Sequence, residues 1–256
     1  MSIFSRLRRR AAPIDEETWR HATGSMSLLS DLRAEESARL KMLSEQLLAK
    51  KQIMVSDGPP VTPNEQVMLA AACCLPVLEL GIKWYGSWST IVLFPDVYKR
   101  TWSEEDEFGI VSEYEEEVEG EVLEYGSVIL SRRNVTDRHS TTVIHEMAHQ
   151  LDGISGDIDG VPPLPRDIPS NRWVAVFDGR LEEVRRRADT GRRTVLDEYA
   201  GENREEFFAV ASERFFATPT LLKRTMPDIY EMLSAFYRQD PAARRSAGAG
   251  GTQTAP

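Results

Sequence analysis

Cysteine is nearly absent from this 256-residue chain, and the two that occur, Cys73 and Cys74, are neighbours. Adjacent cysteines rarely bridge, so a disulfide framework is excluded and reduced core thiols are expected. No second cysteine pair exists to complete a thiolate metal site. No apolar run approaches the roughly 20 residues that a membrane-crossing helix needs. Positive charge is also short, with 31 Lys and Arg against 41 Asp and Glu. The resulting net charge of −10 argues against nucleic acid as a direct partner. A small basic cluster, Arg6, Arg8, Arg9 and Arg10, is not followed by an apolar segment and so does not read as a secretory signal. A cytoplasmic protein with no membrane partner is the expectation. Histidine is the last scarcity: there are four, and two of them fall within residues 141–152.

Those two carry the chemistry. His145 and His149 stand four residues apart in Thr-Thr-Val-Ile-His-Glu-Met-Ala-His-Gln-Leu-Asp. On a helix, that step places both imidazoles on one face, one turn apart. Neutral imidazole is a good zinc ligand, and two on one rigid helix pre-set the position of a metal. Glu146 completes the H-E-x-x-H arrangement of metallopeptidases, where it serves as general base toward the attacking water. The apolar neighbours Val143, Ile144, Met147, Ala148 and Leu151 suit a helix buried on most sides. The plainer reading of the same residues is a buried helix with two hydrogen-bonded histidines.

The rest of the chain divides into a basic arm (1–14), one domain (15–240) and a disordered Ala/Gly/Arg-rich tail (241–256). Helices are expected around Trp19 (15–24) and over 28–50, where Leu29, Leu32, Leu40, Leu43 and Leu47 recur at helical spacing and form a packing face. Residues 51–61 read as a loop. Thr62-Pro63-Asn64-Glu65 is a helix start with a capping box. It opens an apolar helix through Leu80, kinked at Pro76 and stopped at Gly81. A strand is expected over 89–94, and a hairpin from 121–125 and 127–131 around Gly126. The segment Val128-Ile129-Leu130, just before the histidine helix, is the candidate edge for an extended substrate to pair with. A loop over 153–170 and helices over 171–188, 202–217 and 227–238 follow. Residues 103–121 hold ten acidic residues and no basic one, as many charges as the net excess. This stretch reads as a solvated, mobile loop, with a cation site or a docking patch for a basic partner as sharper alternatives.

A catalytic zinc commonly takes three protein ligands and keeps a fourth position open. The acids of residues 197–213 are the candidates for the third. Glu206 and Glu213 are seven apart and can share a helix face, whereas Glu202 and Glu205 are more at home in solvent. Spacing alone does not choose between Glu206 and Glu213, and a buried salt bridge to an arginine competes for each. Asp152, three past His149, reads either as an orienter of an imidazole or as a surface acid at a helix end.

The combination of Tyr199, the run Glu206-Phe207-Phe208-Ala209 and the upstream His145 motif resembles the zinc-dependent peptidases of the Mlc titration factor A family. It is also similar to the catalytic domain of anthrax lethal factor. Further stretches carry the likeness across residues 15–240: Ala72-Cys73-Cys74-Leu75-Pro76, Trp84-Tyr85, Gly126 through Ser131, His149-Gln150-Leu151-Asp152, and Asp159-Gly160-Val161-Pro162-Pro163-Leu164. Arg132 departs from the pattern, which would have an aromatic residue there. The resemblance implies a zincin-like (gluzincin) α+β fold, mainly helical, with a small sheet beside the histidine helix. It implies one zinc per chain on His145, His149 and Glu206, with Tyr199 assisting the transition state and a peptide or protein as substrate. It also implies an alternative function: binding an Mlc-like transcriptional repressor and so regulating sugar uptake, with proteolysis secondary.

Overall fold

The computed structural model describes residues 12–95, 98–105, 111–118, 120–123, 127–192 and 194–249. Most of the basic arm, 1–11, and the tail end, 250–256, lie outside the described residues. Ten helices are described: α1 (Glu16–Thr23), α2 (Ala34–Lys50), α3 (Pro63–Cys74), α4 (Arg132–Thr136), α5 (Thr142–Asp152), α6 (Ser170–Asp189), α7 (Arg204–Ala217), α8 (Pro219–Thr225), α9 (Pro227–Tyr237) and α10 (Pro241–Ala249). The strands are β1 (Gln52–Val55), β2 (Thr90–Phe94), β3 (Tyr98–Glu105), β4 (Val111–Val118), β5 (Gly120–Leu123) and β6 (Ser127–Ser131). Helix predominates, as expected, beside one small four-stranded sheet.

That sheet has the order β1-β2-β6-β5. β1, β2 and β6 run parallel, with Ile91 opposite Ile53 and Val128. β5 is antiparallel to β6, with Val122 opposite Val128. β6 therefore has a neighbour on both sides, and the edges are β5 and β1. The expectation that Val128-Ile129-Leu130 forms an open edge is wrong: Val128 and Leu130 have no exposure, as suits an internal strand. β1 lies where the sequence pattern predicts a loop, since four residues beside a Gly-Pro-Pro turn carry little signal. The acidic stretch is not a loop where it is described, because β3 and β4 form an antiparallel ladder pairing Lys99 with Glu117 and Arg100 with Glu116 in register.

α3 is the central helix. Thr62 N–H donates to the Glu65 carboxylate (2.7 Å), and Glu65 N–H donates to the Thr62 hydroxyl (3.3 Å), so the capping box forms as read. Its residues from Val67 to Cys74 are buried, and it packs against α1, α2, α4 and α5. The helix ends at Cys74 instead of kinking and continuing. Pro76 has no N–H for the Ala72 carbonyl, which Leu75 N–H takes in part (3.3 Å). Arg132 grips the same corner: it is bidentate to Glu65 (2.7 and 2.8 Å) and donates to the carbonyls of Pro59 and Pro60. The guanidinium holds Glu65 down at a pKa of about 2. Arg132 thus ties the loop before α3 to the end of β6.

Two helix boundaries differ from the sequence expectation. Residues 28–50 contain a short 3-10 turn, Ser27–Leu29, and then α2 from Ala34, where Glu36 accepts the Arg33 N–H (2.9 Å). The tail does not start at residue 241. Pro241 opens α10, whose Arg244 meets Glu36 at 2.9 Å with both side chains under one-tenth exposed. Arg245 donates to the Ala217 carbonyl and Asp31. Trp173, Phe177, Phe207, Phe208 and Phe236 form an aromatic core joining α6, α7 and α9. Each is fully buried, which is worth about 1.5–3 kcal/mol per side chain. This core sets α7 against α5.

Candidate metal centre

α5 carries His145, Glu146, His149 and Asp152, and its apolar face (Val143, Ile144, Met147, Ala148, Leu151) is buried. The sequence spacing does what a helix makes it do: the two imidazoles lie one turn apart, edge to face with ring centroids 4.8 Å apart, and their Nε2 atoms are 3.1 Å from each other. α7 supplies the third group. Asn203 caps it, its side-chain oxygen accepting the Glu206 N–H (2.8 Å), so Glu206 lies in the first turn, at the positive end of the helix. Its Oε2 is 3.2 Å from His145 Nε2 and its Oε1 is 3.4 Å from His149 Nε2. His145, His149 and Glu206 are the group of metal-type donors that converges among the described residues. Of the two glutamates left open by spacing, Glu206 is the one whose carboxylate meets both histidines.

Glu213, two turns further along α7, approaches the opposite edge of the first ring. Its Oε1 accepts from His145 Nδ1 at 2.8 Å, and its Oε2 accepts the Thr141 hydroxyl. Thr141 was not singled out in the sequence. No spacing rule points to it, because its partner is 72 residues away. Tyr199 lies in a 3-10 turn, Glu198–Gly201, and is 44 % exposed, with its ring centroid 6.1 Å from that of His145. It stands beside the histidines on a side open to solvent.

Asp152 is not a surface acid. It has no exposure, and its Oδ2 accepts the Gly160 N–H at 2.6 Å. Gly160 has φ +77°, and a Cβ there would stand 2.6 Å from the Arg204 carbonyl oxygen, so only glycine fits where this loop crosses the start of α7. The Gly160 carbonyl in turn accepts Trp173 Nε1–H (2.9 Å). Asp152 thus pins the end of α5 to the loop beneath α7. Its Oδ1 and His149 Nδ1 are both buried without a hydrogen-bond partner among the described residues.

The electrostatics are those of donors pressed together. Burial favours neutral imidazole, but the carboxylates of Glu206 and Glu213 outweigh it and raise His145 to about 10. Burial alone would raise Glu206 as well, yet the two imidazoles bring it down to about 2. Glu146 is almost fully buried, and desolvation lifts it to about 7 against the pull of both histidines. Desolvation likewise raises Asp152 to about 6. A proton on His145 is doing what a cation would do in the same place.

The residues fit a metal ion on two counts. Glu206 Oε2 is buried with no hydrogen-bond partner among the described residues. And with Nδ1 of His145 donating to the Glu213 carboxylate, the proton a metal would displace is the one on Nε2, the nitrogen directed into the cluster. Comparison with known proteins agrees. Residues 3–238 match the family described as glucose-regulated metallo-peptidase M90. The chain is 33% identical over 232 residues, 88% of its length and 85% of theirs, to Mlc titration factor A of Yersinia pestis (strain Pestoides F) and to that of Yersinia pseudotuberculosis serotype O:1b (strain IP 31758). A metallopeptidase family calls for a metal, and the convergence of two imidazoles with a carboxylate provides for one. The chain belongs to the glucose-regulated metallo-peptidase M90 family.

Proposed function

We propose that the chain is a zinc-dependent, zincin-like peptidase, with one zinc held by His145, His149 and Glu206. The observation that carries this is the spacing of the donor atoms: the two histidine Nε2 atoms are 3.1 Å apart, and each has one Glu206 oxygen beside it, Oε2 at 3.2 Å from His145 and Oε1 at 3.4 Å from His149. Tetrahedral zinc with bonds of roughly 2.0–2.1 Å has ligand-to-ligand edges of about 3.3–3.4 Å. The metal, when bound, would supply Lewis acidity toward a peptide carbonyl and make a water molecule more acidic. Glu146 is placed between the two histidines in sequence and buried beside them. A group titrating near 7 takes a proton from the attacking water and returns it to the leaving amine nitrogen as the C–N bond breaks. Tyr199, exposed next to His145, donates a hydrogen bond from its hydroxyl to the carbonyl oxygen as negative charge develops there. The outer edge of β5, beside α5, offers backbone groups with which an extended peptide pairs.

The test is zinc analysis together with cleavage of a peptide library, wild type beside Glu146→Gln. One zinc in both proteins and cleavage only in the wild type support the reading, and the positions cut separate end-directed from internal cleavage. A wild type that takes up no zinc, or cleavage that persists in Glu146→Gln, overturns it. The buried, unpaired thiols of Cys73 and Cys74 suit a reducing cytoplasm.

The name of the relatives favours a second reading, in which this chain binds an Mlc-like repressor and hydrolysis is secondary. A pure binder does not need Glu146 or Tyr199. On that reading, Glu146→Gln would retain binding to such a repressor and its regulatory effect, whereas an obligatory proteolytic role would lose the effect.

A further inference from the structure

We infer that Glu213 is a positioning residue for the metal site: it locks the ring and tautomer of His145 while holding Thr141 at the start of the same helix. The inference rests on the reading that a metal sits at His145, His149 and Glu206. Glu213 Oε1 meets His145 Nδ1 at 2.8 Å, and its other oxygen accepts the Thr141 hydroxyl. One carboxylate therefore grips α5 at two points, the residue before its first turn and the ligand one turn in. Both of its oxygens are engaged, so its own rotation is limited.

The seven-residue step from Glu206 to Glu213 explains how one helix does both jobs. Two turns of α-helix advance about 10.5 Å and return to nearly the same face. α7 runs along α5, so its first turn reaches Nε2 of His145 and its third reaches Nδ1, on opposite edges of one ring. The two histidines are not equivalent: His149 Nδ1 has no such partner among the described residues. His145 is thus the imidazole whose orientation is set from outside α5. A carboxylate behind an imidazole also raises its basicity as a ligand.

The competing account is a plain ion pair, Glu213 with a protonated His145, that stabilises the packing of α5 on α7. The two accounts differ in what they move. Removing a plain ion pair destabilises the protonated, metal-free protein and so leaves zinc affinity unchanged or strengthens it, whereas removing a positioning residue weakens it.

The experiment is a competition titration of zinc against a chromogenic chelator, for wild type, Glu213→Ala, Glu213→Gln, Thr141→Val and Glu206→Ala. Glu213→Ala should weaken zinc about 10–100-fold. Glu213→Gln should recover most of that, since its amide oxygen still accepts the Nδ1 proton, and Thr141→Val should cost a smaller factor. Glu206→Ala, which removes a ligand, should lose more than any of them. Should Glu213→Ala not fold, nitrogen-15 spectra of histidine-labelled, zinc-loaded wild type decide: His145 should bind through Nε2 and keep a hydrogen-bonded proton on Nδ1. Zinc affinity within about twofold of wild type in Glu213→Ala overturns the inference and leaves the metal site standing. So does metal binding through Nδ1, or a loss in Glu213→Ala as large as in Glu206→Ala, which would make Glu213 a ligand. Wild type that binds no zinc overturns both readings.

Discussion

Glu146 sits among the donor atoms without being one of them, and that separation of roles is testable one residue at a time. Its near-complete burial is tolerable because the histidines on either side attract the ionised form. Glutamine keeps the shape and removes the basicity. Glu146→Gln should therefore bind zinc within a few-fold of wild type while peptide turnover falls by about 10²–10⁴. Tyr199 makes the complementary case. Being 44 % exposed, it has little packing to lose, so Tyr199→Phe should leave zinc affinity and thermal stability unchanged. Turnover should drop by roughly 10²–10³ with KM nearly constant if the hydroxyl acts only as charge develops. Steady-state kinetics on one defined peptide checks both. Full activity in Tyr199→Phe would reduce the tyrosine to a wall of the cleft.

Single elements matter here through what they bring from far away in sequence. α10 is the clearest case: a segment of Ala, Gly and Arg has no apolar stripe, so composition alone reads it as disordered. Arg244 alters that, because Glu36 is buried and needs a counter-charge that Arg33, largely in solvent, only partly supplies. Arg244→Ala should lower the unfolding free energy by about 2–3 kcal/mol, less than the usual 3–5 for breaking a buried pair because Arg33 remains. Urea denaturation of the metal-free protein measures it, and a change below about 0.5 kcal/mol would return α10 to a loosely attached tail. β5 is another case. Its place at the sheet edge follows from β6 being inserted between it and β2, a crossover that no local pattern encodes. Capping boxes, by contrast, are local, and the one at Thr62 and Glu65 was legible because all its atoms lie within four residues.

At the scale of the molecule, the buried donors should make the metal-free protein sensitive to alkali. Asp152, Glu146 and His145 all have folded-state values above their ordinary ones, about 6, 7 and 10 against 3.8, 4.5 and 6.5. Each binds its proton more tightly when folded, so unfolding releases protons and stability falls as pH rises. The loss begins with the carboxyls between roughly pH 4 and 7 and continues through His145 between about 6.5 and 10. Zinc acts in the opposite sense. It displaces the proton of His145, so its affinity, and the stabilisation it confers, should grow with pH over the same range. Melting curves from pH 5 to 9, with chelator and with zinc, should show a falling Tm in the first series and a widening gap between the two. A metal-free Tm that rises steadily over that range would mean that these groups are not held as described.

The sequence by itself determined the local half of the site. A four-residue step on a helix fixes two imidazoles on one face through backbone geometry alone, and Glu146 comes with them. It also determined the helical character, the boundaries of α1, α6 and α9 to within a residue or two, and, by resemblance, the choice of Glu206. Only the tertiary structure decided the rest. Whether Glu206 or Glu213 meets Nε2 depends on how α7 lies along α5, and that is set by aromatic packing between α6, α7 and α9, not by spacing within α7. Asp152 proved to be buried and not a surface acid, and it anchors the end of α5 because Gly160, eight residues on, folds back under it. Thr141, Arg132 and Arg244 acquired their roles from partners 72, 67 and 208 residues away. Periodicity reports which side of an element is buried. It carries no information about which distant element does the burying, and at this site that pairing aims the donor atoms.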